Sequence, residues 1–217
     1  MILSFDIETM PNLDMVDQLP IPEVKYGNTK DPEKRALMDE KAKEKQVDKM
    51  GLDPMWGRVI CSVFTNGTKS ERDIISELTD EQEKTHIEWI FSMLALDEAR
   101  FFTWNGKGFD FRFVYMRAMI LGVDRSAFGA PPLSVFLKRY NNDRHTDLML
   151  EWDPANKFTK LDTVAKVLLG EGKQEISFAD FPELIKTKDG RQEILDYCEQ
   201  DTKITHEIGL KMNDYLF

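Results

Sequence analysis

The sequence predicts an α/β protein in which a mixed β-sheet is flanked by helices. Three strand-like segments precede a helix, a fourth strand and then several further helices, which is the order expected of a sheet covered by helices. The length of 217 residues suits one substantial domain better than two, and the hydrophobic share of 41% is that of an ordinary globular protein. We therefore expect residues 1–217 to form a single domain.

The predicted strands are short apolar or β-branched runs bounded by turn residues. In chain order they are "MILSFDIE", "RVICSVFTN", the weaker "SERDIISEL" and "RFFTWN". Asn66 and Gly67 are typical of a hairpin turn between the second and third strands. The fourth strand ends at Asn105 and Gly106, and a helix is expected directly after it.

A highly charged helix is predicted for residues 31–51. Asp31 stands at a cap position, Pro32 at the first helical position and Gly51 at the far end. Acidic and basic residues are balanced and apolar ones are few, which is typical of a solvated helical insertion that projects from the core. The alternative is a flap that reaches a substrate through the lysines of its middle part. These are Lys41, Lys43 and Lys45.

Four further helices follow from apolar spacing and end signals. Thr79 and Gln82 form a capping-box pattern ahead of the first, and the second covers residues 109–121 and stops at a glycine. The third is the compact segment "KLDTVAKVLLG". The last covers about residues 191–215 and has an apolar stripe along one face. The members of the stripe are Ile194, Ile204 and Ile208.

The composition argues against several classes of protein. The net charge of −10 is opposite to the basic footprint of proteins that grip nucleic acid through many phosphates. A nucleic-acid partner would therefore require divalent metal ions and a small local positive patch. The two cysteines, Cys61 and Cys198, provide neither a disulfide framework nor a four-cysteine metal site.

The sequence also lacks the marks of a membrane or secreted protein. No apolar run approaches the roughly 18 to 20 residues that span a bilayer. Asp6 and Glu8 interrupt the apolar run at the N-terminus, which has no basic flank of the kind that a signal peptide carries. We expect a cytoplasmic location, a reducing environment and no membrane partner.

Two carboxylates interrupt the first predicted strand. Side chains two residues apart on a strand point to the same face, so Asp6 and Glu8 would project together. Adjacent anions repel and are costly to bury unless a cation lies between them, and all-oxygen ligation suits Mg²⁺ or Mn²⁺. The alternative is a strand end at which both carboxylates are simply solvated.

Two more stretches carry acidic residues where a site could form. In "WNGKGFDFRF", Asp110 opens a helix after the fourth strand, and Asn105 and Gly106 allow a tight turn there. The alternative is an ordinary aspartate in a first helical turn. In "DYCEQDTKIT", Tyr197 and Asp201 are four apart and join the apolar stripe, so both point toward the protein. The alternative is a core tyrosine that bonds a partly buried aspartate.

The ordered stretches "FDIET", "NGKGFD" and "YCEQD" resemble the three exonuclease motifs of the DEDD superfamily of 3′–5′ exonucleases. More narrowly, they resemble the exonuclease domain of family B DNA polymerases and the small stand-alone proteins related to it. The superfamily's branches differ in the residue ahead of the last aspartate. The tyrosine branch (DEDDy) is matched by Tyr197, whereas the histidine branch would need histidine at position 196, which is Asp196.

This resemblance implies a ribonuclease-H-like (DnaQ-like exonuclease) fold with a mixed five-stranded sheet. It also implies a 3′–5′ exonuclease that releases nucleoside monophosphates from the 3′ ends of DNA, single-stranded DNA above all, with two Mg²⁺ or Mn²⁺ ions. Tyr197 would orient the attacking water. The implied metal ligands are Asp6, Glu8, Asp110 and Asp201.

Residues beside the motifs are candidates for substrate binding. Thr9 and Met10 are placed to touch the terminal nucleotide, with strand-end packing as the alternative, and Phe109 could stack on a base or lie in the core. The full set is Ile7, Thr9, Met10, Asn105 and Phe109. Asp147 could be a fifth acidic group, although a helix cap is favoured. The candidate phosphate contacts are Lys107, Arg112 and Arg117.

Two other functions stay open. A 3′–5′ exoribonuclease is one, because the same architecture serves RNA ends and only contacts to the 2′-hydroxyl distinguish the two substrates. The other is a nucleic-acid-binding, polymerase-accessory module without catalysis, which predicts at least one missing metal ligand; none is missing from the sequence. The resemblance implies a polymerase or replication partner but does not separate proofreading, repair and DNA turnover.

Overall fold

A five-stranded mixed sheet lies at the centre of the protein, in the strand order β3-β2-β1-β4-β5. The computed structural model describes residues 1–138, 141–153, 158–170, 172 and 176–216. The strands are β1 Ile2–Pro11, β2 Gly57–Thr65, β3 Ser70–Ile74, β4 Arg100–Thr103 and β5 His145–Asp147. The first three pair antiparallel, whereas β1 with β4 and β4 with β5 pair parallel. The predicted mixed five-stranded sheet is therefore confirmed.

Helices cover this sheet along the described parts of the chain. They are α1 Pro32–Met50, α2 Asp80–Leu94, α3 Asp110–Leu121, α4 Leu133–Phe136, α5 Leu148–Trp152, α6 Leu161–Leu168, α7 Phe181–Leu184 and α8 Lys188–Leu216. None of the helices within these described ranges is both long enough and apolar enough to cross a lipid bilayer.

The two faces of β1 pack against different helices. Because successive side chains of a strand point to opposite faces, residue position along β1 determines which helices each side chain contacts. Leu3, Phe5 and Ile7 belong to a core shared with α2 and α3. Ser4 points the other way and is hydrogen-bonded to His206 of α8, with 3.1 Å between Oγ and Nδ1. Because strand side chains alternate, Asp6 and Glu8 follow Ser4 toward α8. The register with β2 shifts just after Glu8, and such bulges re-aim side chains near the end of a strand.

The charged helix α1 has the ends that the sequence predicts. The Asp31 carboxylate accepts hydrogen bonds from the backbone N–H groups of Glu33 and Lys34, Pro32 occupies the first turn and Gly51 is the C-cap. Most of its residues are exposed, and only its last residue, Met50, is buried. Lys41, Lys43 and Lys45 are exposed as well, which agrees with both the solvated interpretation and the flap interpretation.

Two elements differ from the sequence prediction. The third strand ends at Ile74 rather than Leu78, because Ile75 turns into the core beneath α8. The strand β5 was not predicted, since its three residues are too few to show an alternating pattern. It forms only because β4 offers a free parallel edge.

Candidate active site

A cleft of about 1150 Å³ opens at the carboxyl end of β1. Three separate elements deliver side chains to it: β1, the start of α3 and the middle of α8. The four motif carboxylates implied as metal ligands and the motif phenol all line this cleft. They are Asp6, Glu8, Asp110, Tyr197 and Asp201.

Asp6 and Glu8 form the part of the cleft that β1 supplies. Glu8 is buried, with 5% of its surface exposed, and Asp6 is half-buried. One carboxylate oxygen of each lies within 4.8 Å of the other and of the Cys198 sulfur, on the facing side of α8. The sulfur also contacts the Asp6 carbonyl oxygen at 3.8 Å, which ties α8 to β1 at this point. The expectation that both carboxylates share a face agrees with this geometry.

Asp110 is buried at the first turn of α3, with 3% of its surface exposed. Its side chain is hydrogen-bonded to that of Asp6 and accepts a further hydrogen bond from the backbone of Ile7. Burial first, and the nearby charge of Asp147 in addition, raise the pKa of Asp110 to about 7. The charged form of Asp110 is therefore costly here, and a cation between these carboxylates would stabilise it.

The turn that delivers Asp110 is held by Asp147. Its fully buried carboxylate accepts hydrogen bonds from the backbone N–H groups of Asn105 and Lys107, at 3.0 and 2.8 Å. Asn105 has a φ of +72°, a left-handed conformation that asparagine tolerates better than most residues. A Cβ at Gly106 would lie 2.2 Å from the Thr103 hydroxyl oxygen, so only glycine fits. Asp147 stands at the N-cap position of α5, as predicted, but it also organises this turn.

Tyr197 and Asp201 form the α8 side of the cleft. Both are buried, with 2% and 6% of their surfaces exposed, and the phenol is hydrogen-bonded to the Asp201 carboxylate one helical turn away. Burial and the charges of Asp201, Glu8 and Asp6 raise the pKa of Tyr197 above its usual value. The phenol therefore keeps its proton and donates a hydrogen bond at neutral pH.

Four of the predicted substrate-binding residues line the cleft and one does not. The four are Ile7, Thr9, Asn105 and Phe109. The Thr9 hydroxyl donates to the Gly51 carbonyl oxygen at 2.6 Å, and Phe109 is partly buried and packs on Phe113 with 5.3 Å between ring centroids. The Met10 side chain has 1% of its surface exposed and packs in the core between β2 and α8. The expectation that Met10 contacts a nucleotide is thus corrected to strand-end packing.

The basic residues predicted to contact phosphate are placed differently from one another. Arg117 is buried and donates to both carboxylate oxygens of Glu83, at 2.8 and 2.7 Å, so it belongs to an interior ion pair rather than to the cleft. Lys107 is buried beside Asp147, and its pKa is lowered by burial. Arg112 is exposed and donates to the Lys107 carbonyl oxygen.

The sequence motifs do not contain the apolar rim of the cleft. Its side chains come from loops and from short 3-10 helices, which are too short for a periodic pattern to single them out. Most of them are large apolar side chains that are more than half exposed. A cluster of exposed apolar side chains often marks a binding surface, and this cluster can be recognised only in the structure. They are Leu13, Leu52, Phe158 and Phe178, with Trp104 partly buried beside them. Among the described residues that line the cleft, Lys160 is the one basic side chain.

The cleft has the donors that a hard divalent cation prefers. Four carboxylates from β1, α3 and α8 provide an all-oxygen ligand set, which fits Mg²⁺ or Mn²⁺. The shared hydrogen bond of Asp6 and Asp110 shows that these groups lie close enough to need a proton or a cation between them. The residues present therefore fit the implied metal ions.

The fold is ribonuclease-H-like, as solved structures show. The structure of the family B DNA polymerase from the hyperthermophilic archaeon Pyrobaculum calidifontis matches 97% of this chain with a TM-score of 0.61 and 18% sequence identity. The match covers 24% of the polymerase chain, so the similarity is to one part of that enzyme. At this identity the comparison defines the fold alone.

Sequence comparison then identifies the family. Residues 54–215 match the profile of a family described as predicted 3′–5′ exonucleases related to the exonuclease domain of PolB, and the chain belongs to that family. The matched range contains Asp110, Tyr197 and Asp201 and begins after β1. The DNA polymerase catalytic subunit of Human herpesvirus 8 type P (isolate GK18) is 40% identical over 58 residues, which are 26% of this chain and 6% of that protein.

Proposed function

We propose that this protein is a two-metal-dependent 3′–5′ exonuclease of the tyrosine (DEDDy) branch that removes nucleoside monophosphates from the 3′ ends of single-stranded DNA. The observation that carries the proposal is the convergence of four carboxylates, from three elements far apart in sequence, on one cleft. A solvated surface would not bury such groups together, because their mutual repulsion and lost hydration are costly. Residues 1–217 are proposed to act as one exonuclease domain, with 31–51 as an insertion.

The carboxylates divide into two overlapping sets. Asp6, Glu8 and Asp201 would hold one Mg²⁺ or Mn²⁺ ion, and Asp6 with Asp110 the other. When bound, the two ions provide an activated water at neutral pH and stabilise the charge that develops on the leaving 3′ oxygen. Asp6 belongs to both sets, which agrees with its closeness both to Glu8 and to Asp110.

Other side chains of the cleft would position the substrate and the attacking water. Tyr197, which stays protonated, donates a hydrogen bond and would orient the attacking water rather than deprotonate it. The apolar rim provides surfaces on which unpaired bases can pack, and such stacking is tolerant of base identity. Thr9, Asn105 and Phe109 line the same cleft as this rim and the carboxylates.

Two features favour a short single-stranded DNA end as the substrate. With one basic residue among the described lining residues, the cleft can hold few phosphates, as a terminal exonuclease requires. Both relatives named above are DNA polymerases, which favours DNA over RNA. A role in proofreading, repair or DNA turnover, with a polymerase as partner, is consistent with these similarities.

A nuclease assay tests the proposal. Single-stranded DNA labelled at its 5′ end should be shortened one nucleotide at a time with Mg²⁺ or Mn²⁺ and left intact with a chelator. Asp201→Ala should lower kcat/KM by about a thousandfold or more, because a lost metal ligand removes several kcal/mol of transition-state stabilisation. Matched RNA and duplex DNA substrates, run in parallel, decide the substrate class.

Asp196→Ala is the matched control. Asp196 lies on the same helix as Asp201, occupies the position where the histidine branch would have its histidine, and forms an exposed ion pair with Arg72. Such pairs contribute little, so activity should stay within about twofold of the wild type. Thermal unfolding should show Asp201→Ala folded but less stabilised by Mn²⁺ than the wild type. Full activity of Asp201→Ala would contradict the assignment of this cleft as the active site. Faster cleavage of RNA than of single-stranded DNA would show that RNA is the preferred substrate.

A further inference from the structure

The turn ahead of α3 is attached on both sides, and Asp110 follows it by three residues. Its successive backbone N–H groups, those of Asn105, Gly106 and Lys107, all donate to side chains of the neighbouring strands β4 and β5. Its three carbonyl oxygens all accept hydrogen bonds from residues 108–112, which lead into α3 and form its first turn. A displacement of this turn would therefore move the start of α3, and the Asp110 carboxylate would move with it.

Asp147 accepts two of the three N–H groups of the turn. Its oxygens act separately, Oδ1 on Asn105 at 3.0 Å and Oδ2 on Lys107 at 2.8 Å. Successive backbone N–H groups in a turn form a concave nest that favours an anion, and here the anion is a carboxylate of the chain itself. Asp147 is fully buried and is not among the described residues that line the cleft. It can therefore support the turn but does not face the space in which an ion would bind.

The middle N–H group of the turn is held by Thr103 of β4. The Thr103 hydroxyl oxygen is 3.1 Å from the Gly106 nitrogen and 2.7 Å from Nε2 of His145. Burial lowers the pKa of His145 to about 3, so its ring is neutral, and its Nδ1 lies 2.7 Å from the Phe136 carbonyl oxygen, which can only accept. Nδ1 thus carries the proton, and the hydroxyl donates to Nε2 and accepts from Gly106. This second support of the turn carries no charge.

We propose that Asp147 is a positioning residue that sets the affinity of the second metal ion, the one that Asp6 and Asp110 would hold. The inference rests on the proposed function, because it needs both ions. Side chains that orient metal ligands without touching the metal typically contribute about tenfold to a hundredfold in affinity. The other ion has no ligand that depends on this turn apart from the shared Asp6, so its affinity should change little. Its further ligands would be Glu8 and Asp201.

Mn²⁺ binding to the whole chain, measured by calorimetry without DNA, tests the inference. The wild type should bind two ions. Asp147→Asn keeps the shape of the side chain but turns one acceptor into a donor, so one N–H group of the turn loses its acceptor. The second ion should then bind about tenfold to a hundredfold more weakly, while the first stays within about threefold.

Asp73→Asn is the matched control. It makes the same substitution in β3, at the opposite edge of the sheet from β5, where the Asp73 carboxylate bonds His86 at 2.6 Å. Asp73 is also absent from the described lining of the cleft. This variant should bind both ions like the wild type.

Kinetics on single-stranded DNA provide a readout that a merely damaged fold would not give. The kcat of Asp147→Asn should fall at limiting Mn²⁺ and return to within about threefold of the wild type at saturating Mn²⁺, because the defect lies in ion binding. KM for DNA should stay within about twofold. A loss of kcat that is the same at every Mn²⁺ concentration would contradict the positioning role.

Thr103→Val separates positioning from charge. It removes the acceptor of the Gly106 N–H group and changes no charge, so it should weaken the second ion as Asp147→Asn does. Thr103→Ser, which keeps a hydroxyl, should recover the affinity. If Asp147→Asn does not fold, this pair of variants decides. An unchanged second ion in Thr103→Val would mean that Asp147 acts through its charge alone, and the positioning role would be overturned.

Failure of this inference can be told apart from failure of the proposed function. A wild type that binds no second Mn²⁺ ion would contradict the two-metal function and this inference with it. Two ions in the wild type, together with an equally tight second ion in Asp147→Asn, would overturn this inference alone.

Discussion

The neighbours of Tyr197 keep its phenol protonated, and this limits the chemical role that Tyr197 can have. It is buried beside three carboxylates, and its hydroxyl is hydrogen-bonded to Asp201. Loss of its proton would place a fourth negative charge in the same space, so its pKa is raised. A phenol held in this way can orient a water but cannot accept a proton from it near neutral pH.

We therefore expect Tyr197→Phe to be a mild variant. It removes one hydrogen bond and no metal ligand, so kcat should fall by about tenfold, the equivalent of roughly 1.4 kcal/mol. Steady-state kinetics on single-stranded DNA measure the change. Tyr115→Phe is the control, because the Tyr115 hydroxyl bonds the Pro131 carbonyl away from the cleft. A loss as large as that of Asp201→Ala would contradict the orienting role.

At the scale of elements, α8 packs closely over the sheet because one of its positions has no side chain. A Cβ at Gly209 would lie 2.2 Å from a ring carbon of Phe102 in β4. Real atoms do not approach so closely, so any larger residue would push α8 away from the strand. The same helix carries Tyr197 and Asp201. The packing of α8 on the sheet therefore sets the position of these two cleft side chains.

Gly209→Ala should destabilise the protein by about 2 kcal/mol, although alanine is the better helix former by about 1 kcal/mol. Urea unfolding measures the free-energy change. Glu207→Ala, at an exposed position of the same helix, should change stability by no more than about 0.5 kcal/mol. A more stable Gly209→Ala protein would mean that α8 and β4 adjust to the added methyl group without strain.

The last turn of the charged helix α1 and the turn that follows it border the cleft. Val47, Asp48 and Leu52 line the cleft, whereas Lys41, Lys43 and Lys45 are not among the lining residues. In 0.15 M salt, charges beyond about 8 Å are largely screened. The exposed middle of the helix should therefore have little effect on the reaction.

Replacing the three lysines together with alanine should leave kcat/KM within about twofold at this ionic strength. Leu52→Ser should instead raise KM by about threefold to tenfold, since an apolar contact for a base is lost. Both variants are compared by initial rates on one oligonucleotide. A large loss in the lysine variant would restore the flap interpretation of α1.

Across the whole molecule, all three histidines are buried and bonded to hydroxyl groups of the sheet. His86 contacts Ser62 at 3.1 Å, His145 contacts Thr103 at 2.7 Å and His206 contacts Ser4 at 3.1 Å. Burial lowers the pKa of His145 to about 3, and it also lowers the pKa of His206. The folded protein therefore keeps these two side chains neutral under conditions that would protonate them in the unfolded chain.

This difference makes stability depend on pH. Between about 3 and 6.5, the unfolded chain binds a proton at His145 that the folded protein does not, so stability falls as the pH is lowered through that range. The contribution reaches about 1.4 kcal/mol per pH unit. Urea unfolding of the wild type and of His145→Gln between pH 5 and 7 should show the steeper slope in the wild type. If the free energy of unfolding changed with pH equally in both proteins, His145 would not contribute to the pH dependence.

The sequence by itself determined the features that depend on neighbours along the chain. The two-residue repeat of a strand places Asp6 and Glu8 on one face, and cap residues set the ends of α1. The same local rules predicted the hairpin at Asn66 and the helix that begins at Asp110. The mixed sheet could be predicted because its longer strands show their patterns within a few residues.

Only the tertiary structure decided which distant groups meet. The sequence leaves Met10 between a nucleotide contact and strand-end packing and makes Arg117 a candidate phosphate contact, whereas the structure packs Met10 in the core and pairs Arg117 with Glu83. Asp147 holds a turn forty residues earlier in the chain. Local periodicity says which face a side chain takes, but its partner depends on how helices dock on the sheet, and docking is governed by packing between segments far apart in sequence.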